Sequence, residues 1–288
     1  FILFVMIFEA LLLMPWVDNY PRNGYVVWRK LHACAIFLFW RVMMEHAISN
    51  MVQRITDILY SCAPSIYLYG SVVLGDFKLG WSDIDILVLT QTSISEEQAN
   101  QLVCLRQTLL AEEAENPFYR SFEGGMLSLS AFLQGEKDRV VYWGTSGERI
   151  TTRYGFDSFS MSELLDSGIL LYGRDIREQL SRPTYDNLKA DVRLYARKTG
   201  RDLYSYGWLL DISRCIYTLR TGKIIGKTDA GEWAMKEGIC PCDETLARAV
   251  EVRKEPHRFK TDTVTFDYAE ILGSYIQQYA DVLEKELE

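Results

Sequence analysis

Hydrophobic residues recur with a helical or a strand period along most of the chain after residue 45. An amphipathic helix is predicted over residues 46–63, and Pro64 ends it. Two strands are predicted at 65–69 and 83–89, and in the second strand Asp83 and Asp85 lie on the face opposite the apolar side chains. The apolar positions on the buried face of the helix are Ile48, Met51, Val52, Ile55, Ile58 and Leu59.

The remaining elements divide the chain into an α+β part and a helical part. Ser95 and the acidic residues after it predict a capped helix, and FEGGMLSLSAFL predicts a third strand that carries Glu123. Residues 140–175 give no clear pattern, except that LLDSGILLYGRD predicts a short helix turning into a strand. Arg182-Pro183 is a natural linker, and the helices predicted beyond it span 186–200, 202–221, 229–238, 243–252 and 264–287.

We therefore expect a mixed sheet with flanking helices in residues 43–182 and a helical bundle in residues 183–288. Residues 1–42 differ from the rest in composition, with two apolar runs separated by a polar stretch. Each run is too short to span a membrane, and no secretory signal is evident. Position 1 is not Met, whereas Met43-Met44 precedes sequence of ordinary composition. Our hypothesis is an extension outside the working enzyme; the alternative is a membrane-associating hairpin.

Composition and charge narrow the possible functions. The 39 acidic against 31 basic residues give a net charge of -8, which disfavours a protein that grips nucleic acid through a basic face. The excess of acidic residues fits a protein with a cationic substrate, or one whose carboxylates hold a divalent metal. Six cysteines without a CxxC pair, together with three histidines, disfavour a structural zinc site and indicate reduced thiols in a cytoplasmic protein.

The segment YLYGSVVLGDFKLGWSDIDILVL carries the most specific signal. A strand delivers Gly70-Ser71 into a tight turn, where backbone amides and the Ser71 hydroxyl can face a phosphate. A second strand presents Asp83 and Asp85, which are two residues apart and therefore point the same way. Two carboxylates on one face can share one or two Mg²⁺ ions with a nucleoside triphosphate. Either motif alone is common in solvated strand ends and turns; the combination indicates nucleotide chemistry.

Gly70-Ser71 followed by Ser82-Asp83-Ile84-Asp85 resembles the signature of the polymerase-β-like nucleotidyltransferases. Residues 210–234 resemble the helical domain of one of their families, the aminoglycoside 3″/9-adenylyltransferases, which modify spectinomycin and streptomycin. The resemblance covers about residues 45–285. It implies that Asp83 and Asp85 hold Mg²⁺ and that Gly70 and Ser71 bind the nucleotide.

The resemblance also implies roles for three further residues. Glu123 matches the catalytic base, although the Gly-Gly after it departs from the commonest family continuation. Lys227 would contact the triphosphate from the helical domain, at a helix start where Asp229 and Glu232 have capping-box spacing. Arg214 would face the nucleotide from the preceding helix.

By this resemblance the chain is a monomeric adenylyltransferase that moves AMP from ATP to an aminoglycoside or aminocyclitol. The streptomycin-acting branch has an acidic residue ten positions before the helix arginine; here that position is Tyr204, which favours a spectinomycin-like acceptor. Asp211 and Glu232 could meet the cationic acceptor or be structural helix residues. The alternatives are a nucleotidyltransferase with another small hydroxylated acceptor, a non-catalytic antitoxin-type protein of the same fold, and transfer of nucleotides to RNA, which the acidic charge disfavours.

Overall fold

The protein is built on a six-stranded sheet with the strand order β5-β4-β3-β2-β1-β6. The structure is a computed structural model that describes residues 22–144, 147–198, 205–259 and 271–288, with the backbone alone for 22–37 and 197–198. The strands are β1 (Ser65–Tyr69), β2 (Ile84–Thr90), β3 (Phe122–Ser128), β4 (Val140–Gly144), β5 (Gly147–Thr151) and β6 (Ile169–Tyr172).

Four helices accompany the sheet and six follow it within the described residues. The first group is α1 (Arg22–Leu59), α2 (Glu96–Glu112), α3 (Leu129–Gln134) and α4 (Ser158–Ser167). The second group is α5 (Tyr185–Lys198), α6 (Tyr206–Thr221), α7 (Lys227–Lys236), α8 (Asp243–Lys254), α9 (Pro256–Phe259) and α10 (Leu272–Glu286).

The two central strands, β2 and β3, run parallel, and the other neighbouring pairs are antiparallel. In the parallel pair Asp85 lies beside Glu123, and Ile84 lies beside Phe122. Because side chains alternate along a strand, this register brings the acidic side chains to one face of the sheet. The sheet thus positions the predicted site residues of two separate sequence segments next to each other.

Helices α1 and α2 cover the other face of the sheet. The predicted buried face of α1 is confirmed, since Met51, Ile55 and Leu59 are fully buried against the sheet. Ile84, Ile86 and Val88 of β2 contribute to the same core, as their period predicted. The predicted cap at the start of α2 is also confirmed, and the structure shows it to be a capping box: Ser95 Oγ accepts from the backbone amide of Gln98, and the Gln98 side chain accepts from the backbone amide of Ser95.

The face of the sheet that carries the acidic residues is the one opposite α1 and α2. Beside the acidic residues, α4 and a group of aromatic residues cover this face. Leu87, Leu89 and Leu127 pack there against Leu164 of α4. A separate core joins α5, α6, α7, α8 and α10, with Leu210, Ile216 and Ile276 among its fully buried members. The predicted α+β architecture, a mixed sheet followed by a helical part, is confirmed.

The proposed domain limits fall at two different kinds of position. The limit at 182/183 lies in the connection between β6 and α5, whereas the limit at 42/43 lies inside α1, which continues through it. The division itself stays a prediction. Within the described residues no helix is both long and apolar enough to cross a membrane.

Two segments differ from the sequence expectation. The third strand ends at Ser128 rather than continuing through Leu133, because the Ser128 hydroxyl accepts from the Ala131 amide and caps α3. Residues 140–151, where no element was predicted, form the hairpin β4–β5. Residues 199–204 and 260–270, parts of predicted helices, lie outside the described residues.

The pair Gly124-Gly125 in β3 is required by close packing. Gly124 has φ +153°, and a Cβ atom there would overlap the carbonyl oxygen of Ile86 on the neighbouring strand. A Cβ atom on Gly125 would overlap the ring of Tyr154. The unusual continuation after Glu123 therefore has a structural cause in this chain.

We predict that Gly124→Ala lowers the free energy of unfolding by about 3 kcal/mol or more, since the added methyl group forces two central strands apart. Gly135→Ala is the matched control, because Gly135 also has a positive φ (+67°) but nothing lies within 4 Å of its Cβ position. The control should cost only about 1 kcal/mol. Equal losses for the two variants in denaturant titrations would contradict this packing argument.

Candidate active site

A cleft of about 220 Å³ lies between the sheet and the helices that follow it. The β1–β2 connection, α4, α6, α7 and α8 all contribute to its walls. Its lining includes six of the seven predicted site residues: Gly70, Ser71, Asp83, Asp85, Arg214 and Lys227. Glu123, the seventh, is not among the lining residues, but its side chain is hydrogen-bonded to Asp83.

Gly70 begins the turn after β1 and allows Asp85 to approach the backbone. Its φ is +71°, and a Cβ atom at this position would overlap Oδ2 of Asp85. The turn is closed by a hydrogen bond from the Leu74 amide to the Gly70 carbonyl (3.0 Å). The Ser71 hydroxyl donates to the Asp83 carbonyl (3.2 Å), so it ties the turn to the start of β2.

Three carboxylates meet at the β2–β3 end of the site. Burial raises the pKa of Asp85 well above its ordinary value, and the charges of Asp83, Glu163 and Glu123 raise it further. Burial also raises the pKa of Asp83 and of Glu123, and these two side chains share a hydrogen bond. Such crowding of buried negative charge is costly unless a cation or a proton compensates it.

Glu123 is held in place from two sides. The Tyr142 hydroxyl on β4 donates to its Oε1 (2.9 Å), a bond that favours the ionised carboxylate. Arg106 on α2 fixes the start of β3, because Nη1 donates to the Phe122 carbonyl (2.8 Å) while Nε donates to Glu148 (2.5 Å). The carboxylate at this position is therefore oriented before any ligand binds.

Arg214 on α6 crosses the cleft to α4. Its Nη1 donates to Oε1 of Glu163 (3.2 Å), and its guanidinium lies 5.7 Å from the centre of the Phe159 ring. Burial raises the pKa of Glu163, which the charge of Arg214 partly offsets. Arg214 therefore faces the cleft but is already paired with a carboxylate.

Lys227 is the first residue of α7, and its Nζ lies 2.8 Å from Oδ1 of Asp211 on α6. Burial opposes ionisation of Asp211, but the charges of Lys227 and Arg214 lower its pKa overall. Asp211 thus acts as a structural partner of the cleft lysine. Glu232 pairs instead with Lys254 on the surface.

The predicted capping box of Asp229 and Glu232 is wrong. The N-cap of α7 is Gly226, and the helix amide of Thr228 donates to the carboxylate of Asp76, which comes from the β1–β2 connection (3.2 Å). A carboxylate distant in sequence therefore satisfies this helix start.

The residues fit a divalent cation that is shared with a phosphate ligand. Asp83 and Asp85 offer carboxylate oxygens on one side of the cleft, and Mg²⁺ is commonly held by one or two carboxylates together with phosphate oxygens and water. In the part of the chain that the structure describes, no group of three or more His, Cys, Asp or Glu side chains is arranged to hold a metal by itself.

Sequence reasoning missed Tyr142, Glu163, Asp76 and Arg253, although three of them line the cleft and Tyr142 contacts Glu123. Tyr142 and Glu163 lie in residues 140–175, where the pattern was unclear. Tyr204, which guided the choice of acceptor, lies outside the described residues. The five cysteines whose side chains are described are free thiols.

Comparisons with known proteins gave one family match and a similar fold. Residues 54–116 match the family model of the nucleotidyltransferase domain. The search of curated proteins gave no match. The fold is similar to the crystal structure of spectinomycin adenyltransferase AAD(9) from Enterococcus faecialis with ATP and spectinomycin, with a TM-score of 0.59 and 17% identity over 83% of this chain and 99% of that one. Residues 54–116 are therefore similar to the nucleotidyltransferase domain, and the chain shares its overall fold with this adenyltransferase structure.

Proposed function

We propose that this protein is a Mg²⁺-dependent adenylyltransferase that transfers AMP from ATP to a hydroxyl group of an aminoglycoside-type antibiotic and releases pyrophosphate. The proposal rests on one observation. The Asp83 and Asp85 carboxylates line one cleft from the sheet side, and the Lys227 ammonium group lines it from the helical side. A spectinomycin-like aminocyclitol is the favoured acceptor. The similar fold of AAD(9), which was determined with ATP and spectinomycin, supports this choice.

Asp83 and Asp85 would hold the metal. When bound, Mg²⁺ would neutralise phosphate charge and orient the α-phosphate for attack. Gly70 leaves space for the Asp85 carboxylate on β2, and the Ser71 bond to the Asp83 carbonyl fixes the residue directly before β2.

Glu123 would act as the general base. As the acceptor oxygen forms a bond to the α-phosphorus, its proton passes to the Glu123 carboxylate, and the bond to the β-phosphate breaks to release pyrophosphate. The raised pKa of Glu123 makes it a better proton acceptor near neutral pH than an exposed glutamate. The Tyr142 hydroxyl keeps Oε1 of Glu123 fixed and so orients the carboxylate.

Lys227 and Arg214 would offset charge on the leaving pyrophosphate from the helical side of the cleft. Lys227 is held by Asp211, and Arg214 by Glu163, so both cations are positioned before ATP binds. A preorganised cation stabilises developing charge without a reorganisation cost at the moment of reaction.

The charge of the cleft suits a cationic acceptor. Five carboxylates line it, against three basic side chains. The carboxylates are Asp76, Asp83, Asp85, Asp157 and Glu163, and the basic residues are Arg214, Lys227 and Arg253. The net charge of -8 adds long-range attraction for a polycation.

The proposed function is tested with purified protein, ATP and Mg²⁺, using a panel of spectinomycin, streptomycin and other aminoglycosides. We expect pyrophosphate release with at least one panel member, and spectinomycin is the favoured one. ATP binding without release of pyrophosphate on any compound would reject the antibiotic as acceptor and favour another small hydroxylated acceptor or a non-catalytic role.

Asp85→Asn should abolish turnover and at the same time raise the free energy of unfolding measured without metal. The side chain loses a metal ligand, but the folded state also loses a buried charge that its neighbours repel. The same change at exposed Asp186 on α5 is the control and should alter neither quantity. Normal turnover by Asp85→Asn would refute the metal assignment.

Glu123→Gln should lower kcat by about a factor of 100 or more while ATP affinity stays near that of the wild type. Tyr142→Phe should lower kcat less, by about tenfold, because it removes only the bond that orients the base. Single-turnover kinetics at saturating ATP measure both effects. A fully active Glu123→Gln variant would place the base at another residue.

A further inference from the structure

Asp76 lies in the β1–β2 connection, between the Gly70-Ser71 turn and Asp83, and only 5% of its surface is exposed. It belongs to the sheet part of the protein, but its carboxylate contacts two residues of the helical part. Neither contact partner is near it in sequence. This carboxylate therefore joins the two walls of the cleft.

The first partner is Thr228, the second residue of α7. Its hydroxyl donates to Oδ1 of Asp76 (2.5 Å), and its amide donates to Oδ2 (3.2 Å). Gly226 allows this approach, because a Cβ atom there would lie 2.9 Å from the Cβ of Asp76. The carboxylate thus holds the first turn of α7 through two bonds.

The second partner is Arg253, near the end of α8, which is itself 5% exposed. Its Nη2 donates to Oδ2 of Asp76 (3.0 Å) and lies 3.4 Å from the Ser82 hydroxyl. The Ser82 hydroxyl also accepts from the Lys78 amide (3.0 Å). Arg253 therefore contacts both ends of the segment 76–82, and the second of these ends directly precedes Asp83.

The buried group is well compensated. Burial opposes the ionisation of Asp76, but the Thr228 hydrogen bond and the Arg253 charge lower its pKa overall. A buried ion pair with every oxygen bonded has little freedom to rearrange, and bonds of this kind fix geometry more than they add stability.

We propose that Asp76, Thr228 and Arg253 form a clamp of positioning residues that fixes Lys227 relative to Asp83, and so sets the distance across which the triphosphate is held. Lys227 directly precedes Thr228, and Ser82 directly precedes Asp83, so the clamp contacts the neighbour of each functional residue. This inference rests on the proposed use of ATP. Without the clamp both walls would stay folded, but part of the free energy of nucleotide binding would be used to align them.

The test measures the affinity of the intact protein for ATP with Mg²⁺ by calorimetry, without an acceptor. Thr228→Val keeps the shape of the side chain and removes the hydroxyl, and we expect about tenfold weaker binding. Thr228→Ser restores the hydroxyl and should bring the affinity back close to that of the wild type. Asp76→Asn is a second probe, and we expect it to weaken ATP binding as well.

Thr218→Val on α6 is the matched control. Thr218 is also buried, and its hydroxyl makes no hydrogen bond to the described residues. We expect ATP affinity to be unchanged in this variant. Denaturant titrations of all variants separate lost affinity from lost folding.

A double-mutant cycle with Lys227→Met distinguishes positioning from general support of the fold. If the clamp acts through Lys227, Thr228→Val should weaken ATP binding very little in the Lys227→Met background. The same tenfold loss in both backgrounds, or wild-type affinity in Thr228→Val, would overturn the clamp. ATP binding in this acceptor-free titration, together with no pyrophosphate release on the antibiotic panel, would defeat the antibiotic assignment alone. No ATP binding by the wild type would defeat both proposals.

Discussion

The crowding of buried carboxylates beside β2 and β3 is the constraint on which the rest of this site depends. Asp83, Asp85 and Glu123 are brought together by a parallel strand register, and Glu163 approaches from α4. Burial raises the pKa of all four groups, and the charges of the neighbouring carboxylates raise the pKa of Asp85 and Glu123 further. A fold tolerates this arrangement when a bound cation and its ligand complete it, so the local instability itself indicates a binding function.

All three basic side chains that line the cleft belong to the helical part. Arg214 and Lys227 are each paired with a carboxylate that fixes the side chain toward the cleft. Asp76 then connects the start of α7 to the loop between β1 and β2. The site is therefore composite, and neither part of the chain alone holds the groups that the proposed reaction needs.

Strands β1 and β2 and their faces could be predicted because side-chain alternation is a local property, whereas the hairpin β4–β5 was not predicted. The placement of Asp83 and Asp85 on one face follows directly from their spacing, and Ser95 marked the start of α2 by its own capping chemistry. The contacts of Tyr142 and Asp76 could not be predicted in this way. Tyr142 meets Glu123 only through the pairing of β3 with β4, and Asp76 caps a helix about 150 residues away, so no local pattern encodes either contact.

The central claim is that the carboxylates at this cleft and an ATP phosphate share a divalent cation. Its most direct test is a pair of calorimetric titrations of the wild-type protein with ATP, one in Mg²⁺ and one in EDTA. Because ATP without a cation would add negative charge to uncompensated carboxylates, we predict affinity at least about tenfold higher in Mg²⁺. Equal affinity under the two conditions would contradict the account.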